Sequence, residues 1–447
     1  MAEKLFGTDG MRGIANTYPL TIDFCVKLGN VLGQHFCNSK KRVAIARDTR
    51  ISGTMLFSAL AAGFTAQGID VLDLGVIPTP LCTTLTPDLE VDMSLMITAS
   101  HNPYQDNGIK LINHNGDKFS DSDTAKVEEL MKEAFEPQYN PQKIGQVIAT
   151  DSGIDDYFDA VNTLAAADAL HGMKIALDSA NGAFSDILPF VFKYLGADVI
   201  SLSDSPDGYN INENCGSQHT ENLAEVVVKN GCRLGIAVDG DGDRIIICDE
   251  NGKRLNGDQI IAYLAKYLKE HNLLKGNAVV STLYSNMGLG KYIRSLGLEH
   301  HASAVGERYV IEKMREVGSN LGGEESGHMV LSDYSRTGDA MIAAIVVCLG
   351  IFESGKKVSE IFPVFKPFPT EAHNLRYENK EIINKVLDNA EVKKCIEEVN
   401  AHLVGHGSLI IRKSGTEPVI RLKIEDEDAA VAAREAKILL DCINKNA

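Results

Sequence analysis

The sequence has no long hydrophobic run, and positively charged residues are scarce for its length. Its longest apolar segment, residues 340–352, is shorter than the about 20 residues that cross a bilayer, so we expect a buried helix there and no membrane partner. Of 447 residues, 44 are Lys or Arg and 61 are Asp or Glu, a net charge of −17. Such a surface disfavours nucleic acid as a partner, although a local basic pocket can still hold a small anion.

The sequence also lacks a Cys-x-x-Cys pair and a leader-like start. Its nine cysteines are odd in number and scattered, which is typical of reduced thiols in a cytoplasmic protein and not of a disulfide framework. The first ten residues contain no apolar segment of the kind found in signal peptides. We therefore expect a cytoplasmic protein with cysteines in its core.

One pattern occurs three times along the chain. An apolar run, a loop of small residues, a segment of helical period, a glycine and a second strand-like run appear at 43–74, 174–202 and 278–303. Each copy predicts a βαβ unit with the glycine ending its helix. One large doubly wound sheet is an alternative, but the spacing of the copies favours three similar α/β domains.

The last part of the chain has a different pattern. Residues 363–369 contain three prolines and predict a linker. Two strand-like runs at 408–412 and 419–424 precede an alanine-rich helical segment at 428–444. We predict an α/β protein: three similar α/β domains with mixed, mainly parallel sheets (1–153, 154–255 and 256–365) and a smaller C-terminal α+β domain (366–447), around a central cleft.

An acidic motif is the strongest local signal. Residues 239–244, Asp-Gly-Asp-Gly-Asp-Arg, lie between two strand-like runs. Three carboxylates on alternate residues repel one another unless a cation lies among them, and ligands that are all oxygen select Mg²⁺ or Ca²⁺. The glycines let the backbone curl so that the carboxylates converge. A solvated acidic turn is the alternative.

A serine motif follows the apolar run 93–97. Residues 98–103, Thr-Ala-Ser-His-Asn-Pro, place Ser100 on a tight turn at the carboxyl end of a strand, where α/β proteins have their sites. This position fits a nucleophilic or phosphate-carrying Ser100 next to His101; a plain turn that satisfies its own backbone is the alternative. Lys110 follows closely and is either a surface lysine or a cation beside Ser100, with its pKa lowered enough for acid–base work.

Two further segments have the composition of binding loops. Residues 412–418, Arg-Lys-Ser-Gly-Thr-Glu-Pro, combine two cations and two hydroxyls on a loosened backbone, which suits an anion; a basic turn is the alternative. Residues 323–328, Gly-Glu-Glu-Ser-Gly-His, offer carboxylates and a hydroxyl that suit sugar hydroxyl groups, or form a plain loop.

Together these motifs resemble those of the α-D-phosphohexomutase superfamily. The similar segments are 6–13, 98–103, 239–244, 305–310, 323–328 and 412–418, in the order that the family has them. Residues 208–219 resemble the phosphoglucosamine mutase branch more than the phosphomannomutase or phosphoglucomutase branches. One position departs from the family pattern: Glu325 stands where most members have Gln.

The resemblance implies a role for each candidate residue. It implies a phosphoserine at Ser100, with Mg²⁺ bound by that phosphate and by Asp239, Asp241 and Asp243. It implies that sugar hydroxyl groups and a phosphate group are bound by Glu324, Ser326, Arg412, Ser414, Gly415, Thr416 and Arg421. The candidates for proton transfer and charge support are His101, Lys110, Arg12 and His328, with Arg244 supporting the serine loop or the metal carboxylates.

The implied activity converts glucosamine 6-phosphate to glucosamine 1-phosphate and so supplies UDP-N-acetylglucosamine synthesis. A phosphosugar is then the partner, and glucosamine 1,6-bisphosphate or glucose 1,6-bisphosphate is the activating intermediate. A homodimer is compatible with this activity. Three alternatives stay open at this point: a phosphoglucomutase or phosphomannomutase of the same superfamily, a Mg²⁺-dependent phosphatase, and a non-catalytic sugar-phosphate sensor.

Overall fold

The computed structural model of the protein describes residues 5–133, 139–150, 154–413 and 418–446. These residues form two compact units. The first contains residues up to 283 together with 299–364, and the second contains 284–298 and the chain from 365 onward. Within this described part, no helix is both long enough and apolar enough to cross a membrane.

The first α/β region of the first unit is built on a mixed sheet of seven strands. Its elements are β1 (Phe6–Gly7), β2 (Gly10–Ile14), α1 (Ile22–Phe36), β3 (Arg42–Arg47), α2 (Ser52–Ala66), β4 (Asp70–Val76), α3 (Thr79–Leu85), β5 (Met93–Ile97), β6 (Asp106–Asn113), α4 (Asp121–Lys132) and β7 (Val147–Ala149). The strand order is β1-β2-β6-β5-β3-β4-β7. Strands β5, β3, β4 and β7 run parallel, whereas β1, β2 and β6 pair antiparallel.

The second region has a five-stranded sheet in the order β12-β11-β10-β8-β9. Its elements are α5 (Ile154–Leu164), β8 (Lys174–Asp178), α6 (Ile187–Tyr194), β9 (Asp198–Leu202), α7 (Glu221–Asn230), β10 (Leu234–Val238), β11 (Ile245–Asp249) and β12 (Arg254–Leu255). Strands β9, β8 and β10 are parallel, and β10 and β11 form an antiparallel hairpin.

The third region supplies a four-stranded sheet in the order β14-β13-β15-β16. The elements in this stretch of chain are α8 (Gly257–Glu270), β13 (Ala278–Thr282), α9 (Met287–Ser295), β14 (Glu299–Ser303), α10 (Glu307–Val317), β15 (Leu321–Gly323), β16 (Met329–Leu331), α11 (Ala340–Ser354) and α12 (Val358–Ile361). The β14, β13 and β15 strands are parallel, and β16 is antiparallel to β15. Helix α9 belongs to the second compact unit.

The last elements form a small antiparallel sheet, β17-β19-β18, with three helices. They are β17 (Thr370–Arg376), α13 (Lys380–Asp388), α14 (Ala390–Leu403), β18 (Gly407–Lys413), β19 (Val419–Asp426) and α15 (Ala429–Lys445). Apolar side chains of the sheet and helices share one core, which includes Val392, Ile424 and Leu439. The prediction of a smaller C-terminal α+β region is confirmed.

The threefold pattern in the sequence corresponds to three parallel strand pairs. They are β3 with β4, β8 with β9 and β13 with β14, each pair connected in the chain through one helix. The glycine after each helix, Gly68, Gly196 or Gly297, has a positive φ of +74°, +82° or +72°. A side chain at such a backbone angle is strained, which explains why glycine ends all three helices.

The long apolar run forms α11, whose residues from Ala340 to Cys348 are all buried. Asp339 caps this helix by accepting hydrogen bonds from the backbone N–H groups of Met341 and Ile342. It also accepts the phenolic hydroxyl of Tyr157 on α5. Burial raises the pKa of Asp339 to about 6 despite these hydrogen bonds. The ionised carboxylate is therefore a cost in the folded protein.

We predict that Asp339→Asn gains stability relative to wild type as the pH rises from about 4 to about 6. A carboxyl group whose pKa is higher in the folded than in the unfolded chain destabilises the fold once it ionises, so the Asp339 carboxyl costs wild type stability over that range. Asparagine keeps the cap without this charge. Urea denaturation should show the variant gaining about 2 kcal/mol on wild type over that range.

The matched control is Asp155→Asn, which changes an exposed carboxylate on the same helix as Tyr157. It should follow wild type at every pH. A constant difference between Asp339→Asn and wild type from pH 4 to pH 7 contradicts the prediction.

Candidate functional site

The acidic motif forms the loop of the β10–β11 hairpin. Val238 and Ile245 are paired at its base, and both strands are fully buried. Asp239, Asp241 and Asp243 have no exposed surface, and one carboxylate oxygen from each lies within 4.8 Å of the others. The predicted convergence of the three carboxylates is therefore present.

Lys110, on β6, supplies the nearest positive charge. Its ammonium nitrogen lies 2.8 Å from Asp241, 2.9 Å from Asp243 and 3.1 Å from Asp9. Burial alone lowers the pKa of Lys110, but these carboxylates outweigh burial and hold the pKa well above its ordinary value. The expectation of a lowered pKa is wrong, because the lysine faces three negative groups at once.

Asp239 and Asp243 differ in their proton affinity. Burial, together with the charges of Asp243 and Asp241, raises the pKa of Asp239 to about 7. Burial also acts to raise the pKa of Asp243, but Lys110 and His328 outweigh it and keep that pKa well below its usual range. The loop thus holds its negative charge unevenly, and Asp239 is the carboxylate that is least compensated.

Ser100 follows strand β5 on a turn with unusual backbone geometry. Its φ is +54°, which costs a residue other than glycine about 1–2 kcal/mol. Its N–H donates to Thr98 Oγ1, and its carbonyl accepts Arg50 Nη2 at 3.0 Å and Asn212 Nδ2 at 2.9 Å. The hydrogen bonds to Arg50 and Asn212 hold the strained turn.

The acidic loop approaches this turn closely. A Cβ on Gly240 would lie 2.7 Å from the Ser100 carbonyl oxygen, so glycine is required there. The Ser100 hydroxyl donates to Asp239 Oδ2 at 2.6 Å and lies 3.3 Å from His101 Nδ1. Burial, followed by the positive charges of Arg244 and Arg12, lowers the pKa of His101 to about 3, so this imidazole is neutral at pH 7.

His328 links the acidic loop to the 323–328 segment. Its Nδ1 lies 2.6 Å from Glu324 Oε2, and its Nε2 lies 3.0 Å from Asp243 Oδ1. Burial lowers the pKa of His328, but Asp243 and Glu324 outweigh burial and Arg244, raising it to about 10. The Arg244 backbone N–H donates to Asp239, and the Arg244 Nε lies 3.3 Å from His328 Nε2.

Most residues predicted for the site are therefore connected in the first unit. Arg12 joins them through Asp9, whose Oδ2 accepts its guanidinium at 2.7 Å. Ser326 is exposed. Sequence reasoning missed the following contributors: Asp9, Arg50, Thr79, Lys118 and Glu307. Asp9 and Glu307 lie inside the segments 6–13 and 305–310, whose similarity to the superfamily could have identified them as site residues.

The second unit has its own cluster of positive charge. Arg412 and Arg421 lie directly opposite each other on β18 and β19, and the Arg412 guanidinium lies 4.9 Å from the centre of the Tyr284 ring. Among the described atoms, buried Arg412 Nε has no hydrogen-bond partner. Two facing like charges are suited to binding an anion. Ser414, Gly415 and Thr416, predicted for the same site, lie outside the described residues.

The acidic loop fits a divalent cation. Its three converging carboxylates offer only oxygen, and such a donor set suits Mg²⁺ or Ca²⁺. Asp241 Oδ2 accepts both Thr79 Oγ1 and Lys110 Nζ, whereas buried Asp241 Oδ1 has no partner in the described part of the chain. A buried carboxylate oxygen without a hydrogen-bond donor is costly, which is consistent with its being a metal ligand.

Comparisons with known proteins agree with this geometry. The models of phosphoglucomutase/phosphomannomutase α/β/α domains I, II and III match residues 3–138, 155–252 and 256–368, and that of the C-terminal domain matches 373–441. The phosphoglucosamine mutase of Paramagnetospirillum magneticum is 43% identical over the whole length of both chains. The chain belongs to the phosphoglucosamine mutase family.

Solved structures show the same fold. A phosphoglucomutase/phosphomannomutase family protein from Burkholderia thailandensis matches this family member with a TM-score of 0.82 and 23% identity, over 100% of this chain and 98% of its own. The Aspergillus fumigatus N-acetylphosphoglucosamine mutase, solved with GlcNAc-6P and magnesium, matches with a TM-score of 0.65 and 15% identity, over 99% and 96%. The predicted α/β class, with mixed sheets and a smaller C-terminal domain, and the predicted superfamily are confirmed by the four matching domain models.

We predict that Mg²⁺ binds this phosphoglucosamine mutase family member more weakly as the pH falls below about 7. A cation needs ionised carboxylates, and Asp239 takes up a proton near that pH. Isothermal titration calorimetry should show the Kd rising by about tenfold for each pH unit below 7. Asp239→Asn should bind weakly at every pH, with a flatter profile. An unchanged wild-type Kd between pH 8 and pH 5.5 contradicts the prediction.

Proposed function

We propose that the protein interconverts glucosamine 6-phosphate and glucosamine 1-phosphate, with Ser100 as the phosphate carrier. The observation that carries the proposal is the 2.6 Å hydrogen bond from the Ser100 hydroxyl to Asp239, inside the carboxylate cluster. In this contact, a hydroxyl held on a turn of positive φ lies beside the carboxylates that suit a divalent cation. Membership of the phosphoglucosamine mutase family supports the choice of amino sugar.

The reaction needs a carrier because O6 and O1 lie at opposite ends of the sugar. The phosphorus–Oγ bond of phosphorylated Ser100 breaks as a phosphorus–O1 bond forms on glucosamine 6-phosphate, which yields glucosamine 1,6-bisphosphate. After the bisphosphate turns round, the Ser100 hydroxyl attacks the phosphate on O6 and glucosamine 1-phosphate leaves. Glucosamine 1,6-bisphosphate or glucose 1,6-bisphosphate can also phosphorylate a Ser100 that has lost its phosphate.

Asp239, Asp241 and Asp243 are the ligands that we propose for Mg²⁺. When bound, this ion stabilises negative charge on the transferred phosphoryl group. Lys110 and Arg12 carry positive charge at the same place, since Lys110 contacts two of the aspartates and Arg12 contacts Asp9. Their part is electrostatic, because the raised pKa of each keeps it protonated.

His101 is the proposed site of proton exchange with Ser100. Its Nδ1 lies 3.3 Å from the Ser100 hydroxyl, and its lowered pKa leaves a neutral imidazole at pH 7, a weak base that can relay a proton but does not retain it. His328 is less suited to accept one, because Asp243 and Glu324 keep it cationic. In the first half-reaction, the proton that O1 loses reaches Ser100 Oγ as the phosphoryl group leaves it. In the second, the Ser100 proton passes to His101 Nδ1 and from there to the O6 that leaves, so His101 ends the turnover neutral.

The remaining predicted residues have binding roles. Arg412 and Arg421 bind the phosphate that does not react, as a facing pair of guanidinium groups suits a dianion. Glu324 and Ser326 remain proposed partners of the sugar hydroxyl groups, and Ser414, Gly415 and Thr416 remain proposed partners of the phosphate. The proposed role in the cell is to supply glucosamine 1-phosphate for the synthesis of UDP-N-acetylglucosamine.

We predict that Ser100→Ala lowers turnover of glucosamine 6-phosphate by at least 10³-fold, because no other hydroxyl replaces the carrier. Intact-mass measurement of wild type should show an addition of about 80 Da on Ser100, removed when substrate traps it as bisphosphate. Ser122→Ala, at an exposed serine, is the matched control. Turnover of Ser100→Ala within tenfold of wild type contradicts the carrier role. Wild type that binds the sugar phosphates without turning them over favours a sensor.

We predict that kcat/KM for glucosamine 6-phosphate exceeds that for the glucose, mannose and N-acetylglucosamine phosphates by at least tenfold. Family membership is the reason, and coupled assays of product formation measure the ratio. A smaller ratio favours a mutase of broader specificity. Release of inorganic phosphate in place of the sugar 1-phosphate favours a phosphatase.

A further inference from the structure

Lys118 bridges two carboxylates that are far apart in the sequence. It lies between β6 and α4, and its ammonium group forms ion pairs with Asp9 Oδ1 and Glu307 Oε2. Its side chain is only 8% exposed, and that of Glu307 is 3% exposed. Asp9 belongs to the β1–β2 turn and Glu307 begins α10. One buried cation therefore connects three separate segments of the first unit.

Each carboxylate uses its second oxygen for a different purpose. Asp9 Oδ2 accepts Arg12 at 2.7 Å and lies 3.1 Å from the ammonium nitrogen of Lys110. Glu307 Oε1 accepts the Thr337 hydroxyl and the Gly338 N–H. Lys118 thus fixes the orientation of the Asp9 carboxylate. Because Lys118 holds Oδ1, Oδ2 faces Arg12 and Lys110.

The charge on Lys118 is permanent. Burial by itself lowers the pKa of Lys118, but the charges of Asp9 and Glu307 outweigh burial and raise it. Without this cation, Asp9 and Glu307 would lose their shared partner, and the Asp9 carboxylate would lose the contact that holds its Oδ1. The contact with Arg12 would remain, but a carboxylate that turns about it no longer directs Oδ2 at Lys110, whose other two carboxylate contacts are Asp241 and Asp243.

We propose that Lys118 is a positioning residue: through Asp9 it fixes the ammonium group of Lys110 and the guanidinium group of Arg12 at the acidic loop. Its effect on turnover rests on the proposed function, since Lys110 and Arg12 are charge donors in that reaction. Its effect on the geometry of Asp9 does not.

A structural role is the competing explanation, because Lys118 lies in a wider contact between residues 117–121 and α10. Arg308 donates to the Phe119 carbonyl at 3.0 Å and pairs with Asp121 at 2.7 Å. Arg308→Met therefore weakens the contact between residues 117–121 and α10. The described contacts of Arg308 do not include Asp9. This makes Arg308→Met the matched control for Lys118→Met.

The test is a double-mutant cycle in kcat and KM. Lys118→Met should lower kcat about tenfold to hundredfold, the usual cost of misplaced charge, with KM changed less than threefold. In an Asp9→Asn background, Lys118→Met should cause no further loss beyond threefold. Lys118→Met/Glu307→Gln removes both charges, so it should fold without a buried unpaired carboxylate and still show the loss of kcat.

The outcomes separate the explanations. Lys118→Met with kcat within threefold of wild type, a loss fully additive with that of Asp9→Asn, or an equal loss in Arg308→Met overturns the proposal. Crystal structures give a readout without turnover: the 3.1 Å contact between Asp9 and Lys110 should be broken in Lys118→Met and kept in Arg308→Met. If wild type lacks mutase activity, the proposed function fails, and the crystal structures alone decide the positioning role.

Discussion

Burying three carboxylates in one hairpin loop is the constraint on which the rest of the site depends. A buried charge is tolerated only when it is paired and hydrogen-bonded, so the protein must bring positive charge to Asp239, Asp241 and Asp243. Lys110 meets two of them, and His328 meets Asp243. The compensation is incomplete, because the pKa of Asp239 still rises to about 7. Because the compensation is incomplete, this loop is suited to a further cation.

The serine turn is built around the same carboxylates. Ser100 adopts a strained positive φ, and the hydrogen bonds of Arg50 and Asn212 to its carbonyl oppose the strain. Arg50 is itself fixed by buried Asp48, which lies at the end of β3. In this strained conformation, the Ser100 hydroxyl donates to Asp239. Asp239 is the carboxylate of the cluster whose negative charge is least compensated.

Much of this could be predicted from the sequence, because local motifs carry local chemistry. The alternation of aspartate and glycine at 239–243 predicts converging carboxylates, and the order of motifs predicts the superfamily. The sign of the pKa shift of Lys110 could not be predicted, since it depends on Asp9, Asp241 and Asp243 meeting one ammonium group. The pair of Lys118 and Glu307, separated by 189 residues, is likewise set by the packing of three segments.

The third copy of the sequence repeat, residues 278–303, is divided between the two compact units, because α9 belongs to the second unit. The contacts at the start of α9 explain this division. Helix α9 completes the third βαβ copy in the chain, yet Glu425 on β19 accepts hydrogen bonds from Asn286 and from the Met287 N–H at the helix start. Lys423 donates to the Tyr284 carbonyl from the same strand. Buried polar contacts thus attach this segment to the last sheet.

This attachment also affects the anion site that we propose for the second unit. Lys423 and Arg412 both lie over the Tyr284 ring, at 5.5 Å and 4.9 Å from its centre. An aromatic face attracts a cation, which lowers the cost of holding two guanidinium groups opposite each other on β18 and β19. Tyr284 is adjacent in sequence to the third sheet, but its contacts make it part of the support for Arg412. A domain boundary drawn from the sequence repeat alone assigns Tyr284 to the third α/β domain and Arg412 to the C-terminal one. The two residues that contact each other are then assigned to different domains.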